Sequence, residues 1–114
     1  MIGLDLLEVE RMEQALARRP GLAARLFTEG ERAYAATRAR PAQHLAARFC
    51  AKEAVTKALG LRVFSPQLIE VTGGGSADVA LVLHGEVAAA AGGARVVVSL
   101  THTRGMAGAV AVLA

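Results

Sequence analysis

Three short stretches of this 114-residue chain place polar groups where a reacting phosphate could use them. They are Gly3-Leu4-Asp5 near the amino terminus, Arg48 through Lys52-Glu53-Ala54 to Lys57, and Ser99-Leu100-Thr101-His102. Asp5 and Glu53 are candidate hard oxygen ligands, and two carboxylates completed by substrate phosphates and water are the usual make-up of a magnesium site. Lys57 follows Glu53 by one helical turn on the same face, positioned to meet a phosphate held by that ion. A plainer reading stands beside this one, with Glu53 and Lys57 as an ordinary i,i+4 ion pair and Asp5 as a cap of the first helix. His102, alone beside a turn, carries little by itself. Cys50 lies in an apolar arc with no histidine at helical spacing and reads as an inert core thiol. The run Gly73-Gly74-Gly75 lacks the Gly-Lys-Ser/Thr ending of a P-loop and reads as a flexible turn.

The elements that must hold these residues follow from periodicity. Ile2, Leu4 and Leu6 alternate with Gly3 and Asp5, which predicts a short strand with Asp5 on the face opposite the leucines. Val9, Met12 and Leu16 recur at helical spacing up to Pro20-Gly21, with glutamates early and arginines late, as a helix dipole favours. A short helical stretch around Leu22 to Leu26 leads to Thr28-Glu29-Gly30-Glu31, a capping box opening a third helix toward Arg38. The longest helical pattern spans Ala42 to Leu59, closed by Gly60, and is apolar over more than half its circumference. Charges so deep in an apolar helix need partners. Strand-like segments follow at Leu68 to Thr72, Val79 to His84, Arg95 to Leu100 and Ala107 to Leu113, with an alanine helix near Glu86 to Ala91. Gly73 to Ser76 and Thr103-Arg104-Gly105 read as hairpin turns. The expected class is α+β: an N-terminal strand, a helical half with a long central helix, then an antiparallel sheet, in one domain over 1–114.

Composition bounds what such a domain can be. Alanine occurs 25 times against three Phe, one Tyr and no Trp, so the core is thin and sharing it between subunits becomes attractive. One cysteine excludes an internal disulfide, no apolar run nears the ~20 residues that cross a bilayer, and the opening residues do not read as a signal peptide. A soluble, cytoplasmic protein is expected. Residues 11–62 carry a net +7 while the rest carries −4, an asymmetry that points to an anionic partner.

In the order of its motifs the sequence resembles bacterial holo-acyl-carrier-protein synthase, the trimeric type of 4′-phosphopantetheinyl transferase. The resemblance rests on Gly3-Leu4-Asp5 with Glu8-Val9-Glu10-Arg11-Met12, on Leu26-Phe27-Thr28-Glu29 to Glu31 and Tyr34, on Arg48-Phe49 with Lys52-Glu53-Ala54 and Lys57-Ala58-Leu59-Gly60, and on Ser99 to His102. It implies a transfer used in fatty acid biosynthesis. A serine of apo acyl carrier protein attacks the β-phosphate of coenzyme A, takes phosphopantetheine and releases adenosine 3′,5′-bisphosphate. By the same resemblance Asp5 and Glu53 hold Mg2+, Lys57 contacts the pyrophosphate, and Glu53 or a water on the metal takes the serine proton. Arg48, Lys52 and His102 line the coenzyme site, Arg11 meets the acidic carrier protein, and the active site lies between subunits of a homotrimer. The chain starts close to its first motif, so a short first strand is expected. The competing reading, a small basic module for RNA or another polyanion, accounts for the charge. It does not account for a Gly-x-Asp strand coupled to a buried glutamate, and four aromatics are too few for base stacking.

Overall fold

The computed structural model describes every residue from Met1 to Ala114. In chain order the elements are β1 (Ile2–Glu8), α1 (Val9–Arg18), α2 (Leu22–Leu26), α3 (Glu29–Ala36), α4 (Pro41–Ala58), β2 (Ile69–Gly74), β3 (Ala77–Leu83), α5 (Gly85–Ala91), β4 (Val96–His102) and β5 (Met106–Leu113). The α+β succession read from the sequence is the one found. No helix is long and apolar enough to cross a membrane.

Two antiparallel sheets make up the β component: β1-β5-β4, with the first strand paired to the last, and the hairpin β2-β3. Pairing β1 with β5 sets the rows that face α4. Gly3 lies opposite Ala111, which lies opposite Val98; Asp5 opposite Ala109 and Leu100; Leu7 opposite Ala107 and His102. The β5 members of those rows, Ala107, Ala109 and Ala111, are buried, so the sheet offers α4 a surface of small side chains. Small residues let a helix approach closely, and Gly3 sets the limit. A Cβ at that position would lie 1.9 Å from the Ala54 carbonyl oxygen of α4. The leucines of β1 take the other face: Ile2, Leu4 and Leu6 are exposed, and the polar member of the alternation points inward. β1 runs seven residues, a full-length strand where a short one was expected.

α4 is the axis of the core. Its buried positions run all round the helix, from Leu45 to Ala47, Cys50 and Ala51, Ala54 and Val55 to Ala58, and also take in Arg48, Lys52 and Thr56. A helix without a polar stripe needs neighbours on every side, and β1, β4 and β5, α1, α3 and β2 supply them. Pro41 opens it at a position where a missing N–H costs nothing. The capping box at α3 is formed as expected, with the Thr28 hydroxyl accepting from the Glu31 amide and Glu31 accepting from the Thr28 amide. Leu68, expected at the start of a strand, belongs instead to a 3-10 turn, Pro66–Leu68, because the chain bends there to bring its carbonyls over α4.

Gly3→Ala should cost about 1–3 kcal/mol, since the added methyl must push α4 off the sheet. Urea unfolding of the variant checks this; an unchanged midpoint would show that the sheet can retreat freely.

Candidate active site

Where α4 lies against β1, Lys57 meets Asp5, and Glu53 stands near enough for both charges to act on it. Asp5 comes from the inward face of β1; Glu53 and Lys57 come from one face of α4, with an i,i+4 spacing that stacks them along it. The ammonium does not close the local pair. Lys57 Nζ donates to the Leu4 carbonyl at 2.8 Å and to Asp5 Oδ1 at 3.3 Å, crossing to the strand and leaving a third N–H directed at solvent. Its side chain is 51% exposed and that of Asp5 20%. Burial raises the Glu53 carboxyl above the usual range, and the Asp5 charge adds to the rise while Lys57 opposes it. A part-buried carboxylate with a second carboxylate beside it is an arrangement whose charge a cation would relieve. No cluster of three or more His, Cys, Asp or Glu side chains that could hold a metal ion is present, so Asp5 and Glu53 are the carboxylates this site offers. Asp5 does not cap α1, whose N-cap is Glu8 without a side-chain bond.

Cys50, beneath this cluster, is fully buried, with Sγ 3.7 Å from the Ala107 carbonyl. Burial, then Asp5, push its thiol up to about 12. A thiol held protonated is no nucleophile, which agrees with the expected inert role.

A second polar site lies elsewhere on α4. Arg48 is five residues before Glu53, about 140° away around the helix, and borders a cavity of about 480 Å³ shared with His102, His44, Tyr34 and Arg38. Arg48 is buried, donates to the Gly73 carbonyl at 2.6 Å and lies 4.3 Å over the Tyr34 ring, while its Nε has no partner. A buried, unpaired guanidinium N–H beside a cavity without a single carboxylate fits an anion. The glycine run expected as a loose turn is a wall of this cavity. Gly73 holds Arg48, and Gly74, at φ +112, passes so close to Tyr34 that a Cβ would lie 2.6 Å from the phenol oxygen.

Lys52 requires a correction. The resemblance placed it in the coenzyme site; it is wholly buried, 2.7 Å from Glu31 Oε1, and donates to the Pro66 and Ile69 carbonyls at 2.6 and 2.8 Å. With all three N–H groups satisfied inside the protein, it has none for a nucleotide. Tyr34, Arg38 and His44 had no place among the candidate binding residues, although a signal was there: Tyr34 and Arg38, and His44 and Arg48, are each spaced i,i+4 and so share a face. Arg11 is exposed on α1, and with Arg18, Arg19 and Arg25 it makes no ion pair.

An α+β fold with a carboxylate pair, a lysine beside it and a separate cationic cavity is the apparatus of a phosphate-group transferase. The chain belongs to the 4′-phosphopantetheinyl transferase superfamily, whose model matches residues 1–101. It is 42% identical to the holo-acyl-carrier-protein synthase of Moorella thermoacetica over 116 aligned positions, covering 97% of this chain and 91% of that one. It is 45% identical to the synthase of Salinispora arenicola, covering 97% and 94%. Among solved structures, the acyl carrier protein synthase of Mycobacterium tuberculosis superposes with a TM-score of 0.81 at 33% identity, covering 99% and 95%. The synthase of Bacillus anthracis, in complex with CoA (3′,5′-ADP), superposes at 0.80 and 32%, covering 98% and 93%.

Lys52→Ala should lower stability by about 3–5 kcal/mol, because it leaves Glu31 charged and buried without its partner. The coenzyme A KM of the folded fraction should hold. A variant of wild-type stability with a raised KM would return Lys52 to the coenzyme site.

Proposed function

We propose that this protein transfers the 4′-phosphopantetheine group of coenzyme A to a serine of apo acyl carrier protein. It acts as a single domain, and the reaction is cytoplasmic. The observation that carries the reading is the convergence of Asp5, Glu53 and Lys57 at the contact of β1 with α4, in a chain matched nearly end to end by holo-acyl-carrier-protein synthases. The serine Oγ bonds to the β-phosphorus of coenzyme A, the bond from that phosphorus to the bridging oxygen breaks, and adenosine 3′,5′-bisphosphate leaves.

Such a transfer needs charge neutralisation at phosphorus and an aligned nucleophile more than covalent help. Asp5 and Glu53 are the residues that would hold Mg2+, which supplies Lewis-acid polarisation of the diphosphate. The remaining N–H of Lys57 is the donor for the diphosphate oxygens, and its bonds to Leu4 and Asp5 fix its direction beforehand. Glu53, its carboxyl raised by burial, takes the serine proton. The cationic cavity at Arg48 and His102 receives the phosphorylated adenosine end of coenzyme A.

One chain presents the cluster and the cavity on different sides of α4. We therefore assign the complete site to a homotrimer in which one subunit's cavity faces its neighbour's cluster. The apolar outer face of β1-β5-β4 supports this, with Ile2 67% and Leu6 64% exposed beside Val97 and Val112. Sedimentation showing a stable, active monomer would overturn the trimer. The polyanion-binding alternative has no such support, and none of the four Phe and Tyr rings is exposed for stacking on bases.

Mass spectrometry of apo carrier protein incubated with coenzyme A, Mg2+ and this protein should show the added mass of phosphopantetheine. Asp5→Ala and Glu53→Ala should each abolish most of that gain while keeping the wild-type unfolding profile; near-normal turnover at saturating Mg2+ in either would refute the metal assignment. Arg11→Glu should lower kcat/KM for the carrier by roughly tenfold, about 1.4 kcal/mol, with a salt dependence weaker than wild type. Coenzyme A binding should be unaffected. Equal carrier kinetics would move the docking surface off α1.

A further inference from the structure

His44 is the one residue of the cavity whose ring touches two other rings. It lies edge-to-face on Tyr34, with centroids 5.6 Å apart, and edge-to-face on His102 at 5.2 Å. The groups around it can be enumerated by element. From α3 and the turn after it come Tyr34 and Arg38, from α4 itself Arg48, and from β4 His102. Gln43 and Ala47 of α4 with Gly74, Gly75, Ala77, Val79 and Leu100 complete the wall without a charge. The cavity therefore holds two fixed cations, two imidazoles in contact and no carboxylate.

That composition has a definite consequence for the free protein. Burial, then the charges of His102, Arg38 and Arg48, lower the affinity of His44 for a proton. A phosphate entering the cavity reverses the balance, since its negative charge outweighs the repulsion among the cations. Fixed arginines cannot respond to a ligand in this way, because they are charged throughout. An imidazole pair can.

We propose that His44 and His102 together take up one proton from solvent when the phosphate of the adenosine end of coenzyme A enters the cavity, so that nucleotide and proton bind as a coupled pair. The proposal rests on the assignment of that cavity to the coenzyme and adds His44 as a binding residue. It also gives the site a means of distinguishing coenzyme A from the same molecule without its 3′-phosphate. Only a ligand that brings this charge offsets the Arg38 and Arg48 charges that otherwise keep the proton off His44.

Calorimetric titration of the intact protein with coenzyme A and with dephospho-coenzyme A, in buffers of differing ionisation enthalpy between pH 6.5 and 8, measures the protons exchanged. The wild-type protein should take up protons with coenzyme A near pH 7, its affinity rising by roughly three- to tenfold per unit as pH falls. Dephospho-coenzyme A should show no comparable uptake. His44→Phe keeps the edge contact with Tyr34, and His44→Gln keeps a polar group; both should lose the uptake and flatten the pH dependence. Wild-type uptake in both variants, or none in the wild type, overturns the proposal. Arg38→Ala separates the two readings: if it weakens coenzyme A binding while proton uptake is absent, only the histidine proposal fails. If it leaves coenzyme A affinity unchanged, the cavity assignment fails and takes the proposal with it.

Discussion

The buried pair of Lys52 and Glu31 ties together four parts of the chain that otherwise share little sequence proximity. One Glu31 oxygen accepts from Lys52 and from the Thr28 amide, and the other accepts from the Val71 amide of β2 at 2.7 Å. Lys52 adds the Pro66 and Ile69 carbonyls. Both side chains have no exposed surface, so each charge depends on the other and on backbone groups that would themselves be unsatisfied without it. Such a network contributes little net stability compared with well-packed hydrophobes, but it tolerates few arrangements. It thereby fixes the rotation of α4 about its axis. That rotation decides which residues of α4 meet β1 and which meet the hairpin: with Lys52 pointed at β2, Glu53 and Lys57 face β1, and Arg48 faces the turn of β2-β3.

The second constraint is the thinness of the layer between α4 and the sheet. Ala107, Ala109 and Ala111 with Gly3 leave no room for side chains between helix and strands, and Asp5 is brought within reach of Lys57 because of it. The cost is a small core, in which Phe27 is the largest fully buried side chain. A protein that gives its interior volume to alanine must find apolar burial elsewhere, and the leucine face of β1 is where that surface lies exposed. The composition that makes the site compact also leaves a lone chain under-packed, so the proposed trimer and the compact site would have one origin.

Periodicity was enough to read the helices, the hairpins and the α+β order, because each had its own local signal in caps, turns and repeats. Direction was harder. The alternation of Ile2, Leu4 and Leu6 with Gly3 and Asp5 fits a strand in either orientation. Leucines ordinarily turn inward, but here the glycine faces in, since only it fits beneath Ala54. Lys52 and Lys57 look alike in one helical motif, and their fates differ because Glu31, 21 positions earlier, lies on one side of α4 and Asp5 on the other. No local pattern states that. The cavity escaped for a related reason: its walls come from α3, α4, β4 and the glycine turn, and only the fold brings them together.

Separating cluster from cavity also separates the demands on them. At the cluster, charges are exposed enough to exchange ligands, as the half-exposed Lys57 illustrates. In the cavity, Arg48 is held by stacking on Tyr34 and by the Gly73 carbonyl, in a pose that costs a ligand no ordering entropy. Preorganised binding at one end of a long substrate can offset the entropy of aligning its reacting end. Those two ends then need a spacing that a single α4 cannot vary, because five residues of rigid helix set it. In the proposed trimer, dividing them between neighbouring subunits would let the subunit contact set the spacing instead, with the exposed sheet face as the surface that fixes it.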